Sequence, residues 1–268
     1  MLFIEFRIAL LLLAAIIATV TDLKKGLIYD NLTIPLIAIG IILNIFDFNI
    51  YNFAIPFFVF AFFGILYYLG KLGGGDVKLF IAASILLPFY NGQIFLIPAL
   101  FFSALFSVVF LSVYYTVKYA RTGVDIQKNK KNILQAAVLG ILIIFYAFFM
   151  ISSNILVLSS ALLITVPLLF ALPFLAFQSG IRERFFLKYV FLSELEEDEI
   201  IAKEFFENKE MFKTKGIITE EDKQKLKQLN IDKVPVYRAL PPFAPFFLIG
   251  IILALLFPDF LSLSYIMP

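Results

Sequence analysis

Long apolar runs broken by short polar interruptions make up most of this chain. They lie at roughly 3–21, 32–46, 52–70, 77–89, 94–117, 133–151, 155–177 and 243–257. A helix that crosses a bilayer needs about 20 such residues, fewer where it is short or the bilayer thins. The pattern predicts an all-α fold, a polytopic membrane helix bundle of about eight spans. The second, fourth and last runs are the short ones. Pro35, Pro56, Pro98, Pro167 and Pro173 fall inside runs. Membrane helices tolerate such prolines when neighbouring groups re-satisfy the backbone.

Between 178 and 242 the pattern changes. This segment holds 12 basic and 13 acidic residues. Ser193 suits the cap of a helix reaching about Met211, with Glu194, Glu196 and Glu197 near its positive end. Thr219 and Asp222 resemble a capping box opening a second helix to about Leu229, ended by Asn230 and Pro235. The chain then divides into membrane helices carrying the chemistry (1–177), a small charged cytoplasmic helical insert (178–242), and a last membrane helix with an outer tail (243–268).

Composition strengthens the membrane reading. The chain is 62% hydrophobic and 16% charged, with a mean hydropathy of +0.96. Ordinary globular domains are roughly half apolar and about a quarter charged. A net charge of +2 argues for no nucleic-acid partner. The first run is flanked by Glu5 and Arg7 before it and by Lys24-Lys25 after it. A cleaved signal peptide has the reverse order, so residues 3–21 read as a retained span.

Charge also sets orientation. With eight spans, the loops 22–31, 71–76, 118–132 and 178–242, together with Lys78, hold 21 of the 22 Lys and Arg residues; the other is Arg7. The positive-inside rule puts that side in the cytoplasm and both termini outside.

The chain has neither histidine nor cysteine. That excludes disulfides, Cys-His dyads, Ser-His-Asp triads and Cys/His metal sites. A carboxylate pair, a Ser-Lys dyad, an all-oxygen metal site or no catalysis remain. Asp22 closes the first run and Asp76 opens the fourth, at one membrane depth. Two carboxylates that share a proton can hold and activate one water, and their titrations split into two macroscopic steps. Gly73-Gly74-Gly75 ahead of Asp76 would let an extended substrate backbone approach, since a side chain there would block it. Lys78 reads as a boundary lysine or as a group tuning the pair. Asp30 reads as a cap of the second helix, and Glu5 and Arg7 as outer-interface residues. No metal and no cofactor is expected.

Two stretches resemble a known family. Thr21-Asp22-Leu23-Lys24-Lys25-Gly26-Leu27-Ile28-Tyr29-Asp30-Asn31-Leu32-Thr33 and Gly73-Gly74-Gly75-Asp76-Val77-Lys78-Leu79 look like the two signatures of the type IV prepilin peptidases. These are GxGD-type membrane aspartyl proteases, and the likeness is nearest to the archaeal preflagellin and prepilin peptidase branch. The resemblance implies that Asp22 and Asp76 are the catalytic pair. It implies prepilin or archaellin precursors as partners, cut between a basic leader and an apolar helix, alongside membrane lipids. Bacterial members often add a cysteine-bearing domain and methylate the new amino terminus. This chain has no cysteine, so peptidase without methylase is expected. Two other classes compete. A presenilin-like or signal-peptide-peptidase-like protease would cut inside the lipid-buried helix. A transporter would use the acids as ion ligands, and a structural assembly protein would not need Asp22 at all.

Overall fold

The structure, a computed structural model, describes residues 3–195, 202, 205, 220–228, 231–238 and 240–260. A helix occupies each of the eight apolar runs: α1 (Ile4–Lys25), α2 (Asp30–Phe46), α3 (Tyr51–Tyr68), α4 (Gly74–Leu86), α5 (Leu96–Arg121), α6 (Ile126–Ser152), α7 (Leu158–Ala176) and, late in the chain, α10 (Ala244–Leu256). Of these, α1, α3, α5, α6 and α7 are long and apolar enough to cross a membrane. Helices α2 and α10 are shorter apolar helices, and α4 has 13 residues. The architecture is an all-α multi-pass bundle.

Boundaries move where local chemistry extends a helix. Helix α1 continues past Asp22 to Lys25 and stops at Gly26, whose φ of 67° lets its N–H return to the Asp22 carbonyl at 2.8 Å. Helix α6 starts well before its apolar run because Asp125 caps it, accepting from the Lys128 N–H at 3.0 Å. Between α4 and α5, Phe89–Tyr90 (β1) pairs with Gln93–Ile94 (β2). The intervening Asn91 and Gly92 have φ of 48° and 77°, as a two-residue hairpin turn requires.

The charged insert is not purely helical. After α8 (Gln178–Ile181) and a π-helical turn (Arg182–Phe186), β3 (Leu187–Phe191) pairs antiparallel with β4 (Lys233–Tyr237). Both strands are rich in β-branched and aromatic residues, which favour extended pairing. Val190, Val234 and Val236 bury one face against Leu226 of α9 (Glu220–Gln228). Ser193 lies in the short 3-10 turn Leu192–Glu194 rather than capping a long helix. The rest of that expected helix falls outside the described residues. The second expected helix is α9; Thr219 is outside the described residues. Lys128 of α6 pairs with Glu183, and Asn129 accepts the Gly180 N–H at 3.2 Å, so the start of the insert is tied to the bundle.

Burial ranks the helices. Helix α4 is enclosed: Val77, Leu79, Phe80, Ala82, Ala83, Ile85 and Leu86 are buried. It packs against α2 and α3, while α10 packs against α5 and α1, and α6 and α7 form an outer pair joined to α5. The Phe80 ring sits edge-on to Phe63 of α3 at 5.0 Å and to Phe247 of α10 at 4.9 Å. Helices α3, α6 and α7 expose most of their large apolar side chains, as surfaces bathed in lipid do. Small residues make the inner contacts. A side chain on Gly250 of α10 would collide with Ser103 and the Ala99 carbonyl of α5. This is the close backbone approach on which membrane helices rely when no hydrophobic driving force acts between them.

Arg7 corrects the sequence reading. It is not at an outer interface but fully buried, 0% exposed. Its guanidinium donates to the Asn44 side-chain carbonyl at 2.6 Å and to the Leu86 carbonyl at 3.0 Å. Asn44 in turn donates to the carbonyls of Ile85 at 2.9 Å and Asn52 at 3.3 Å. Two side chains thus satisfy the last carbonyls of α4, where the helix dipole is negative and favours a cation. Arg7→Met leaves these carbonyls short of donors. We expect a loss of about 2–3 kcal/mol, read as a lower unfolding midpoint in detergent, with Arg7→Lys losing less.

Candidate active site

Asp22 lies in the last turn of α1, where that helix's own dipole disfavours a carboxylate. The chain compensates from a distance. The Ala244 N–H, at the start of α10, donates to Asp22 Oδ2 at 2.9 Å, across 222 residues of sequence. The Phe243 amide is directed at the same carboxylate. Asp22 is 8% exposed, so these donors are the chief substitutes for water around it. Pro245 sits in the first turn of α10, where its missing N–H costs nothing.

Asp76 occupies the first turn of α4, with Gly73 as the extended N-cap residue. Here the dipole favours an anion. The carboxylate folds back over Gly73: a Cβ there would stand 3.2 Å from Asp76 Oδ2. Asp76 is half-buried. The two helices run antiparallel, since Arg7 at the start of α1 meets Leu86 at the end of α4. That opposition brings the end of α1 and the start of α4 to one side of the bundle.

The glycines have neighbours within the chain. A Cβ on Gly75 would stand 2.9 Å from Ile28 Cβ and 3.2 Å from the Ile28 carbonyl oxygen. Gly75 therefore lets the short α1–α2 connection lie flat on the start of α4. A Cβ on Gly74 would stand 3.3 Å from the Tyr67 ring. Beside Gly73 the nearest group is the Asp76 carboxylate itself. Lys78 points to Asp30, donating to its Oδ1 at 2.6 Å, with both side chains about half exposed. Asp30 is the first helical residue of α2 and makes no capping bond; Tyr29 holds the N-cap position. The ion pair fastens the start of α2 to the start of α4.

Sequence reasoning missed the α10 amides and the Ile28–Gly75 contact. The first had a signal: an acid in the last turn of an apolar helix needs donors, and Pro241-Pro242 and Pro245 mark a helix start. The second had none, because Ile28 is an ordinary loop residue. Among the described residues, no three acidic side chains gather as a metal-binding group. An apolar groove of about 560 Å³ runs between α6 and α7, lined by residues such as Leu142, Tyr146, Met150 and Thr165. Its lining comes from α6, α7 and the turn between them, and includes neither Asp22 nor Asp76.

Comparison with known proteins agrees on the kind of molecule. Residues 9–112, which include both aspartates, match the type IV leader peptidase family. Over that stretch the chain is similar to that family. A prepilin peptidase of Methanothermobacter thermautotrophicus, EppA, is 39% identical over 89 residues, covering 29% of this chain and 22% of the other. The chain thus matches about a fifth of that relative's length. No solved structure matches the chain.

Two substitutions separate the contacts around the pair. Lys78→Ala should cost about 0.5 kcal/mol or less, because the ion pair with Asp30 is exposed to solvent screening. Gly75→Val should cost several times more, because the Ile28 backbone must retreat. Unfolding midpoints of the purified variants in one detergent check both.

Proposed function

We propose that this chain is a type IV leader peptidase, working as a membrane aspartyl endopeptidase. It removes leader peptides from type IV prepilins or prearchaellins at the cytoplasmic face of the membrane. The observation that supports the reading is that Asp22 and Asp76 stand at one end of two antiparallel helices, inside the matched segment. Their setting is poor in water, and the chain supplies no histidine or cysteine as an alternative nucleophile or base.

The chemistry follows from one proton shared by two acids. The ionised carboxylate takes a proton from a water held between them. The water oxygen attacks the scissile carbonyl as the protonated partner gives its proton to the carbonyl oxygen. Collapse of the tetrahedral intermediate breaks the C–N bond, and the proton taken from water passes to the departing amine. A leader whose basic residues remain in the cytoplasm, joined to an apolar helix in lipid, presents its junction at the depth of the pair. Lys24, Lys25 and Lys71 lie near that end and are exposed. The basic loops match the positive-inside expectation for the cytoplasmic side.

Either Asp22→Asn or Asp76→Asn should reduce cleavage of a leader-bearing peptide by about a thousandfold or more while the protein remains folded. The activity should be bell-shaped in pH, because the doubly protonated and doubly ionised pairs are both inactive. Reconstituted protein, a panel of leader peptides and mass spectrometry of the cut provide the test. A cut within the lipid-buried helix would favour the presenilin-like mode instead, and ion flux without cleavage would overturn the peptidase reading.

A further inference from the structure

We propose that the N-terminal backbone amides of α10 are positioning groups of the active centre, holding Asp22 as the ionised member of the pair and leaving the shared proton on Asp76. The proposal rests on the peptidase reading for its consequence, but its physical content is a contact between two distant parts of the chain. An N–H has only a proton to offer, so the oxygen it meets must be an acceptor. The Ala244 N–H is 2.9 Å from Asp22 Oδ2, and the Phe243 amide is aimed at the same group. Such bonds form better with a carboxylate than with a carboxylic acid. The positive end of α10 adds to this preference.

Among the described residues, no backbone amide from another helix donates to Asp76 as Ala244 does to Asp22. Nearby charges do not reverse the choice. Helix α10 carries no charged residue from Ala244 to Leu256. From α4 the groups are Asp76 itself and Lys78, from α2 Asp30, and Lys78 and Asp30 neutralise each other. On α1 the neighbours are Lys24 and Lys25, both exposed and both favouring an anion at Asp22.

Asp22 then removes the proton from water, and Asp76 donates to the carbonyl oxygen. Phe80 has a part in this arrangement. Its ring lies edge-on to Phe243 at 5.9 Å and to Phe247 at 4.9 Å, so the enclosed α4 sets where α10 begins. The acid-bearing helix thereby aligns the donor for the opposite acid.

Two measurements decide it. In the intact protein, labelled with ¹³C-phenylalanine and ¹⁵N-alanine, the Ala244 amide proton should move downfield as the pair ionises. The movement should vanish in Asp22→Asn. A signal indifferent to pH overturns the proposal whether or not the protein cuts any peptide. In the second, Ala244 is replaced by lactic acid in the full chain, which removes the N–H and no side chain. Cleavage should show kcat lowered about tenfold with KM unchanged, and the acidic limb of the kcat profile moved up by about one pH unit. An unmoved limb overturns the assignment. If wild-type protein cuts no leader peptide, the peptidase reading falls, and the amide signal still settles whether α10 holds Asp22.

Discussion

The bundle depends on how α4 is held. This helix is too short to anchor itself in lipid by length, and its polar ends would be costly if left open. At its C-terminal end the buried Arg7 guanidinium and the Asn44 amide take up the Leu86 and Ile85 carbonyls. At its N-terminal end the Lys78–Asp30 pair and the Gly75–Ile28 contact fix it to the neighbouring connection. Between the ends nearly every side chain is buried. A helix clamped at both ends and packed along its length is a rigid mount for one carboxylate.

The mount for the other carboxylate is built differently. Asp22 rides on α1, a long helix with an ordinary lipid-facing side. What fixes it is the start of α10, which arrives from the far end of the sequence. The two acids are thus framed by separate devices, one local to α4 and one contributed by α10. The Phe80, Phe243 and Phe247 rings connect the two. The relative position of the acids depends on aromatic packing between helices as much as on the helices that carry them.

How far the sequence reveals this differs from element to element. Apolar run length found a helix at each of the eight stretches, because burial in lipid demands continuous apolarity and closed backbone hydrogen bonding. It missed the hydrogen-bonded exceptions. Arg7 sits near the start of an apolar run and looks like an interface residue; only the fold shows that α4 ends beside it. Asp30 looks like a cap, yet its side chain goes to Lys78 because that cation stands on the adjacent helix. The β3–β4 ribbon was hidden within a segment whose many charges suggested helices. Its strands are five residues each, and their pairing spans a long intervening stretch. Asp22 and Asp76 were legible as acids closing one apolar run and opening another, and the structure places them at the end of α1 and the start of α4. The amides facing Asp22 were not, because backbone donors leave no mark in residue identity.

The separation of Asp22 from Ala244 has a temporal side. At roughly 5–20 residues per second, a ribosome that has delivered Asp22 needs on the order of 10–40 s more to deliver the partner 222 residues downstream. Throughout that interval the aspartate enters the lipid without its eventual donor. A polypeptide released early would retain both acids and the signature around them, yet lack the piece that completes their surroundings. The hydrogen bond at Asp22 can thereby form only once α10 has been made.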